Sequence, residues 1–370
     1  MKYLLCVDSF KGSLTSMEAG NAIADGIREA DPTSKIEVIP MADGGEGTLC
    51  ALTEGLHGRY KTVTVTGPLG EPVNARYGIA DQTAIIEMAE ASGLILVKDT
   101  PDVLSATTYG TGELIKDAIN EGIRDFLICI GGSATNDGGT GMLEALGARF
   151  EDAKGEPVKR GAAGLKDLKS IDLSGLMSEL KECRFKVACD VDNPLCGPNG
   201  ASMVFGPQKG ATQELAEQMD EWLQNYAGLT KEMISRTDET QKGSGAAGGM
   251  GFALRTFLNA ELLPGAEIVM EKTGAIDKIR SADIVITGEG RTDASTLNGK
   301  APMKVAGPAK GYGKRAVIFC GIKGTGADKI EEQGIEVIEV KTEPQDKDPM
   351  DPETAKKNLR RTAGEVFGLI

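Results

Sequence analysis

The chain has 370 residues, 40% of them hydrophobic and 26% charged, which is globular composition with material for two domains. Its formal net charge of -14 disfavours nucleic acid or an anionic membrane as a general partner. A single histidine, His57, lies between glycines in a run read as a surface turn, so a His-rich metal site is excluded and acid–base work falls mostly to Asp, Glu or Lys.

The elements alternate along the chain. KYLLCV (2–7) reads as a buried strand, and Thr15 with Glu18 as a capping box opening a helix with Ala19, Ile23 and Ile27 on one face. IEVIP (36–40) is a second strand, followed by a helix candidate at 47–56. Residues 60–98 break the rhythm: they alternate with period two around turn signals at Gly67-Pro68 and Gly70, which predicts antiparallel strands. Strands then follow at 126–130, 185–189, 283–287, 316–320 and 335–340, with helices near 111–121, 139–147, 213–226, 302–311 and 352–367. Strand–helix alternation predicts a mainly parallel α/β fold. The expected layout is a discontinuous α/β domain (1–60 and 285–370) with an α/β domain inserted at 61–284; the tract 342–353 reads as a polar loop.

No apolar run is long enough for a membrane span, which needs about 20 residues. The N-terminal apolar run is short and meets Asp8, so no signal peptide is expected. Seven cysteines without a CxxC pair point to reduced thiols and a cytoplasmic location, with Cys6, Cys129 and Cys320 as core residues.

The chemistry concentrates where strands end. Five apolar runs pass directly into polar, glycine-bearing loops: VDSFKGSLTS, PMADGGEGT, IGGSATNDGG, ACDVDNPLCG and TGEGRTDASTLNGK. Ligands of open parallel sheets bind at those carboxyl ends. Gly131, Gly132 and Ser133, after a strand and before a helix, fit an anion nest. The loop is neither a Walker A motif nor GxGxxG. A second glycine tract, 243–254, is read as another phosphate cradle, with close helix packing as the alternative. Lys11, Arg291 and Lys300 are the notable cations of these loops, Arg suiting a carboxylate and Lys a phosphate. The acids are Asp8, Asp43, Glu46, Asp137, Asp190, Asp192, Glu289 and Asp293. A small-alcohol kinase needs one carboxylate to orient the hydroxyl and others to hold Mg²⁺. Asp190 is the expected base, because burial behind an apolar strand would raise its pKa; Asp43 is expected to assist metal or substrate.

Together, DSFKGSLTS, MADGGEGT, GGSATNDGG, ACDVDNPLCGPNGAS, FGPQKGA and TGEGRTD…GKAP resemble the bacterial type I glycerate kinases, in order and over nearly the whole chain. The resemblance implies ATP-dependent phosphorylation of D-glycerate and two α/β domains with a cleft between them. It places the family's cleft motifs on Asp8, Lys11, Asp43, Gly131 to Ser133, Asn136, Asp137, Asp190, Arg291, Asp293 and Lys300. On that reading MgATP lies along the glycine loops, with Asn136 and Lys300 among its contacts, and Arg291 meets the glycerate carboxylate. Asp8, Asp43 and Asp293 assist substrate, Asp190 orients the hydroxyl, Lys11 or Lys300 offsets charge with Mg²⁺, and Asp43 and Asp190 are the metal carboxylates. Family precedent favours the 2-hydroxyl over the 3-hydroxyl. One departure is Ser295, where related sequences usually carry Gln; a contact from the shorter Ser would be lost or made through water. A two-domain small-anion binding or sensor protein, or a kinase for another small hydroxy acid, would share many of these features.

Overall fold

The computed structural model describes residues 1–343, 346 and 348–368, so the tract 342–353 is partly outside the described residues. The chain divides into two compact units: Met1–Asp43, Cys50–His57 and Ala266–Ile370 form the first, Gly44–Leu49 and Gly58–Gly265 the second.

The first unit is a parallel five-stranded sheet in the order β13-β12-β11-β1-β2. Its strands are β1 (Lys2–Val7), β2 (Lys35–Val38), β11 (Ile284–Thr292), β12 (Arg315–Lys323) and β13 (Glu336–Glu339). Their apolar runs are continuous because helices cover the sheet. The capping box forms as the spacing predicts, with Thr15 and Glu18 bonding reciprocally at the start of helix Ser16–Ala30. That helix buries Ala19, Ile23 and Ile27 against the sheet and the C-terminal helix Pro352–Phe367. The return to this unit comes at Ala266, earlier than expected, because helices Gly265–Thr273 and Ala275–Ser281 precede β11, the latter packing on β1. β11 also runs to Thr292 rather than to 287. The polar GEGRT stretch looks like a loop, but the long partner β12 continues the ladder through Arg291↔Ile322 and Thr292↔Lys323. Arg291 therefore stands on a strand.

The second unit holds a six-stranded sheet in the order β10-β9-β6-β5-β4-β3. β3 (Arg59–Thr66), β4 (Pro72–Ala80) and β5 (Thr83–Glu87) form the expected antiparallel meander. β5 then pairs in parallel with β6 (Asp125–Cys129), which continues through β9 (Arg184–Ala188) to β10 (Glu261–Leu263). A separate hairpin, β7 (Arg149–Glu151) with β8 (Ser170–Asp172), has three-residue strands too short to leave a periodic signal. Among the described residues, no helix is long and apolar enough to cross a membrane. All seven cysteines are free, with Cys6, Cys129 and Cys320 buried as expected. His57 is exposed, in a turn with φ of 54°.

The helix crossing in the first unit depends on a missing side chain. A Cβ on Gly26 would sit 2.1 Å from the carbonyl oxygen of Arg360. In an open helix, Gly→Ala gains about 1 kcal/mol. Here overpacking should win, at a cost of roughly 1–3 kcal/mol. Gly26→Ala is thus expected to lower Tm; a Tm at or above that of the native chain would show that the two helices separate freely.

Candidate functional site

Parallel pairing puts two strand ends side by side in the first unit. Val7 of β1 lies opposite Gly288 of β11, and the N–H of Asp8 extends the ladder to the Gly288 carbonyl at 2.9 Å. The next residues, Asp8 and Glu289, are each only 8% exposed. Burial pushes the Asp8 carboxyl up to about 7, the charge of Asp43 adds to the shift, and the Ser9 N–H and Lys11 pull it back. Burial also raises Glu289, against hydrogen bonds from Thr296 and Thr292 at 2.7 and 3.0 Å.

Two lysines stand near this pair of acids. Lys11 reaches Asp43 at 3.3 Å, and Lys300 lies 3.9 Å from Glu289. Arg291 donates from Nε to Asp293 at 3.2 Å, with its own side chain 61% exposed. Asp293 spends its other oxygen on the backbone and hydroxyl of Ser295, at 2.9 and 2.6 Å, and those bonds hold its pKa down. Asp293 is therefore a cap and an orienter of Arg291. Ser295 keeps a direct contact, one made to Asp293. Gly324 backs the guanidinium: a Cβ there would meet Asp293 Cβ at 2.9 Å and Arg291 Nε at 3.2 Å.

The second unit gathers the other loops. Gly44 approaches Ala188 at the end of β9, and Gly131 at the end of β6 lies against Gly45; added Cβ atoms would come within 2.8 and 2.9 Å. Gly132 is exposed with φ of 72°, but the loop then turns inward. Asn136 is fully buried and donates to Ser202 Oγ at 2.8 Å, so its amide serves the protein interior rather than an outer face. Asp137 is also buried. Its carboxylate accepts from the N–H groups of Thr108, Gly139 and Gly141 and from the Thr108 hydroxyl. Burial raises its pKa and those donors lower it. The N–H groups around the start of helix Thr140–Ala145 thus already have their anion. What the loop presents outward is confined to Gly131 and Gly132, with Ser133 behind them.

Two expectations change here. Asp190 is exposed, because the buried part of β9 ends at Ala188; its Oδ1 accepts from the Gly265 N–H at 3.1 Å. The burial argument for its role as base therefore does not hold. The glycine tract 243–254 is closely packed: an added Cβ on Gly248 would meet the Thr135 carbonyl at 2.0 Å, and one on Gly249 the Gly138 backbone at 2.8 Å. Asp192 makes a surface ion pair with Lys242 at 2.7 Å.

Two functional-looking residues escape sequence reasoning. Lys209, in the 3-10 turn Pro207–Lys209, is 1% exposed and donates to Ser133 Oγ at 2.8 Å and the Thr135 carbonyl at 2.7 Å. Because Ser133 Oγ accepts from the lysine, its own proton is free to point elsewhere. Burial pulls the amine down to about 7, and the charge of Asp137 works against that. Glu87 closes β5, 5% exposed, accepting from the N–H groups of Leu49 and Gly47 at 3.3 and 3.4 Å; burial pushes it up to about 7. The strand-end rule finds Glu87 once β5 is known to run parallel to β6. A lone Lys in a short turn carries no periodic signal of burial.

The Lys209 shift makes a prediction about stability. The native amine holds its proton only below about 7, and the unfolded one up to its ordinary 10.5. Between those values unfolding takes up a proton, so this group makes stability rise with pH. Native protein should gain on Lys209→Met by on the order of 1 kcal/mol per pH unit over this window. Denaturant titrations showing equal pH slopes would contradict the burial of the Lys209 amine.

Comparison with known proteins adds an independent line. Residues 3–370 match the model of the glycerate kinase family. The chain is 45% identical over 336 residues to "Glycerate kinase" of Halalkalibacterium halodurans, covering 90% of this chain and 88% of that one. It is 46% identical over 341 residues to "Glycerate 2-kinase" of Escherichia coli K12, covering 91% and 90%. A crystal structure from Salmonella typhimurium LT2, named provisionally as glycerate kinase 2, superposes with a TM-score of 0.91 at 44% identity, covering 100% of this chain and 98% of that one. On the family match and these similarities, the chain belongs to the glycerate kinase family.

Proposed function

We propose that the chain transfers the γ-phosphoryl group of ATP to the 2-hydroxyl of D-glycerate in the cytoplasm. The observation that carries this reading is the first unit's strand-end cluster. Two buried carboxyls stand beside Lys11 and Lys300, with Arg291 two residues along β11 from Glu289, in a chain of net charge -14, an arrangement suited to a small anion bearing hydroxyls. The 2-position follows the name of the E. coli relative, glycerate 2-kinase.

The geometry supports a role for each residue. Arg291, held by Asp293 from one side, turns its remaining N–H groups to the glycerate carboxylate, where a planar fork binds two oxygens. Asp8 takes the part first expected of Asp190. A buried carboxyl with a raised pKa can accept the hydroxyl proton as the oxygen attacks phosphorus. The new O–P bond forms as the bond from the γ-phosphorus to the bridging oxygen breaks, leaving ADP; the proton ends on Asp8. Lys11 and Lys300 offset the negative charge of the transferring group. Gly131, Gly132 and Ser133, with the Lys209 ammonium behind Ser133, serve the nucleotide phosphates.

Mg²⁺ is usually held by one or two carboxylates with substrate phosphates and water. Asp43 or Asp190 would supply such a carboxylate, and when bound the ion supplies charge neutralisation at the phosphates.

Release of ADP in a coupled assay should depend on D-glycerate; ADP release indifferent to glycerate and to other hydroxy acids would favour a binding or sensor protein. Asp8→Asn should lower kcat by about 10²-fold or more. Asp190→Asn should act mainly through the Mg²⁺ concentration required. The reverse pattern would return the base role to Asp190. Gly324→Ala should push the guanidinium aside and raise the glycerate KM more than the ATP KM, and an unchanged glycerate KM would place the carboxylate elsewhere.

A further inference from the structure

A cavity of about 460 Å³ opens beside Gly132 in the second unit, within the ~300–1,000 Å³ usual for small-molecule sites. Its walls are mainly apolar: Ala89 and the 3-10 turn residues Leu94, Ile95 and Leu96. Ile95 is 69% exposed and Leu96 41%, unusually open for large apolar side chains.

This wall is joined directly to the glycine loop. The Leu94 N–H donates to the Gly132 carbonyl at 2.8 Å, and Gly93 bridges Ser133 in antiparallel fashion. A ligand whose apolar face rests on residues 94–96 would therefore carry a polar tail onto Gly131–Ser133 and the hydroxyl of Ser133. The polar groups on the remaining walls suit the other end of such a ligand. Asn74 accepts a hydrogen bond from Thr64 through Oδ1 at 2.8 Å, which leaves its amide N–H groups as donors. Glu46, Glu87 and Glu90 line the cavity together with Lys98; Glu87 already accepts from the Gly47 and Leu49 N–H groups and Glu90 pairs with Arg76, and their remaining lone pairs can accept. A purine has a flat apolar face, ring nitrogens that accept and an exocyclic amine that donates, and a ribose has hydroxyls that donate. Carboxylates would repel a second anion but welcome those donors.

From this continuity of apolar wall, acceptor carboxylates and glycine loop, we infer that the cavity holds the adenosine part of the nucleotide, with its phosphates directed to Gly131–Ser133. The inference rests on the reading of ATP as phosphoryl donor.

The test uses the full chain with the double substitution Ile95→Asn and Leu96→Asn, at exposed positions where the fold should tolerate polarity. Equilibrium binding is measured with ADP and with inorganic tripolyphosphate, beside steady-state kinetics. Affinity for ADP and the KM for ATP should weaken about tenfold or more, the scale of losing a few buried methyl contacts. Tripolyphosphate affinity and the glycerate KM should hold, because neither ligand reaches the apolar wall. Unchanged ADP affinity, or a change confined to the glycerate KM, overturns the assignment. Should the native chain show no glycerate-dependent ADP release, the kinase reading fails separately, while the ADP titration still reports on the cavity.

Discussion

Register between β1 and β11 is the constraint on which the first unit's chemistry depends. The two strands lie 281 residues apart along the chain between Tyr3 and Ile284, yet they pair in parallel with Val7 opposite Gly288. That register decides that Asp8 and Glu289 emerge as neighbours, with Lys11 and Arg291 a few residues further on. A one-residue slip would turn every side chain of one strand to the opposite face. The apolar runs KYLLCV and IVIT, buried on both faces, resist such a slip. Packing energy in the core is thus what fixes the spacing of charged groups at the edge.

Acidic residues divide by how they are satisfied. Asp137 and Asp293 are consumed by local donors, the first by backbone N–H groups of its own loop and the second by Ser295 and Arg291. Burial raises Asp8, Glu87, Glu289 and Asp137 alike, but Asp8 and Glu87 are the two pushed up to about 7. Asp8 and Glu87 can exchange protons near neutral pH, whereas Asp137 and Asp293 hold shape. Sequence alone shows an Asp after a strand in both cases, and only the donor set separates them.

Much of the fold was legible because it is written in periodicity. The capping box, the meander at 59–87 and most of the strands and helices lie within a few residues of their expected places. What escaped is non-local. β11 reaches Thr292 only because β12 offers a partner, and the short β7–β8 hairpin depends on pairing rather than pattern. The strand-end rule singles out Asp8, Lys11, Gly131, Gly132, Ser133 and Arg291, which the structure places at or just beyond strand ends. It overstated Asn136, which faces the interior, and it credited Asp190 with a burial that ends two residues earlier. Lys209 was invisible because nothing in GPQKG announces that a cation will be closed in behind a glycine loop.

The most direct test of the central claim is whether the β1 and β11 ends act as one device. A double-mutant cycle on kcat/KM for D-glycerate, using Asp8→Asn and Arg291→Lys, measures this. If both side chains grip one substrate, the two losses should be coupled by about 0.5–3 kcal/mol. Strict additivity, within roughly 0.5 kcal/mol, would mean that the paired strand ends do not share a ligand.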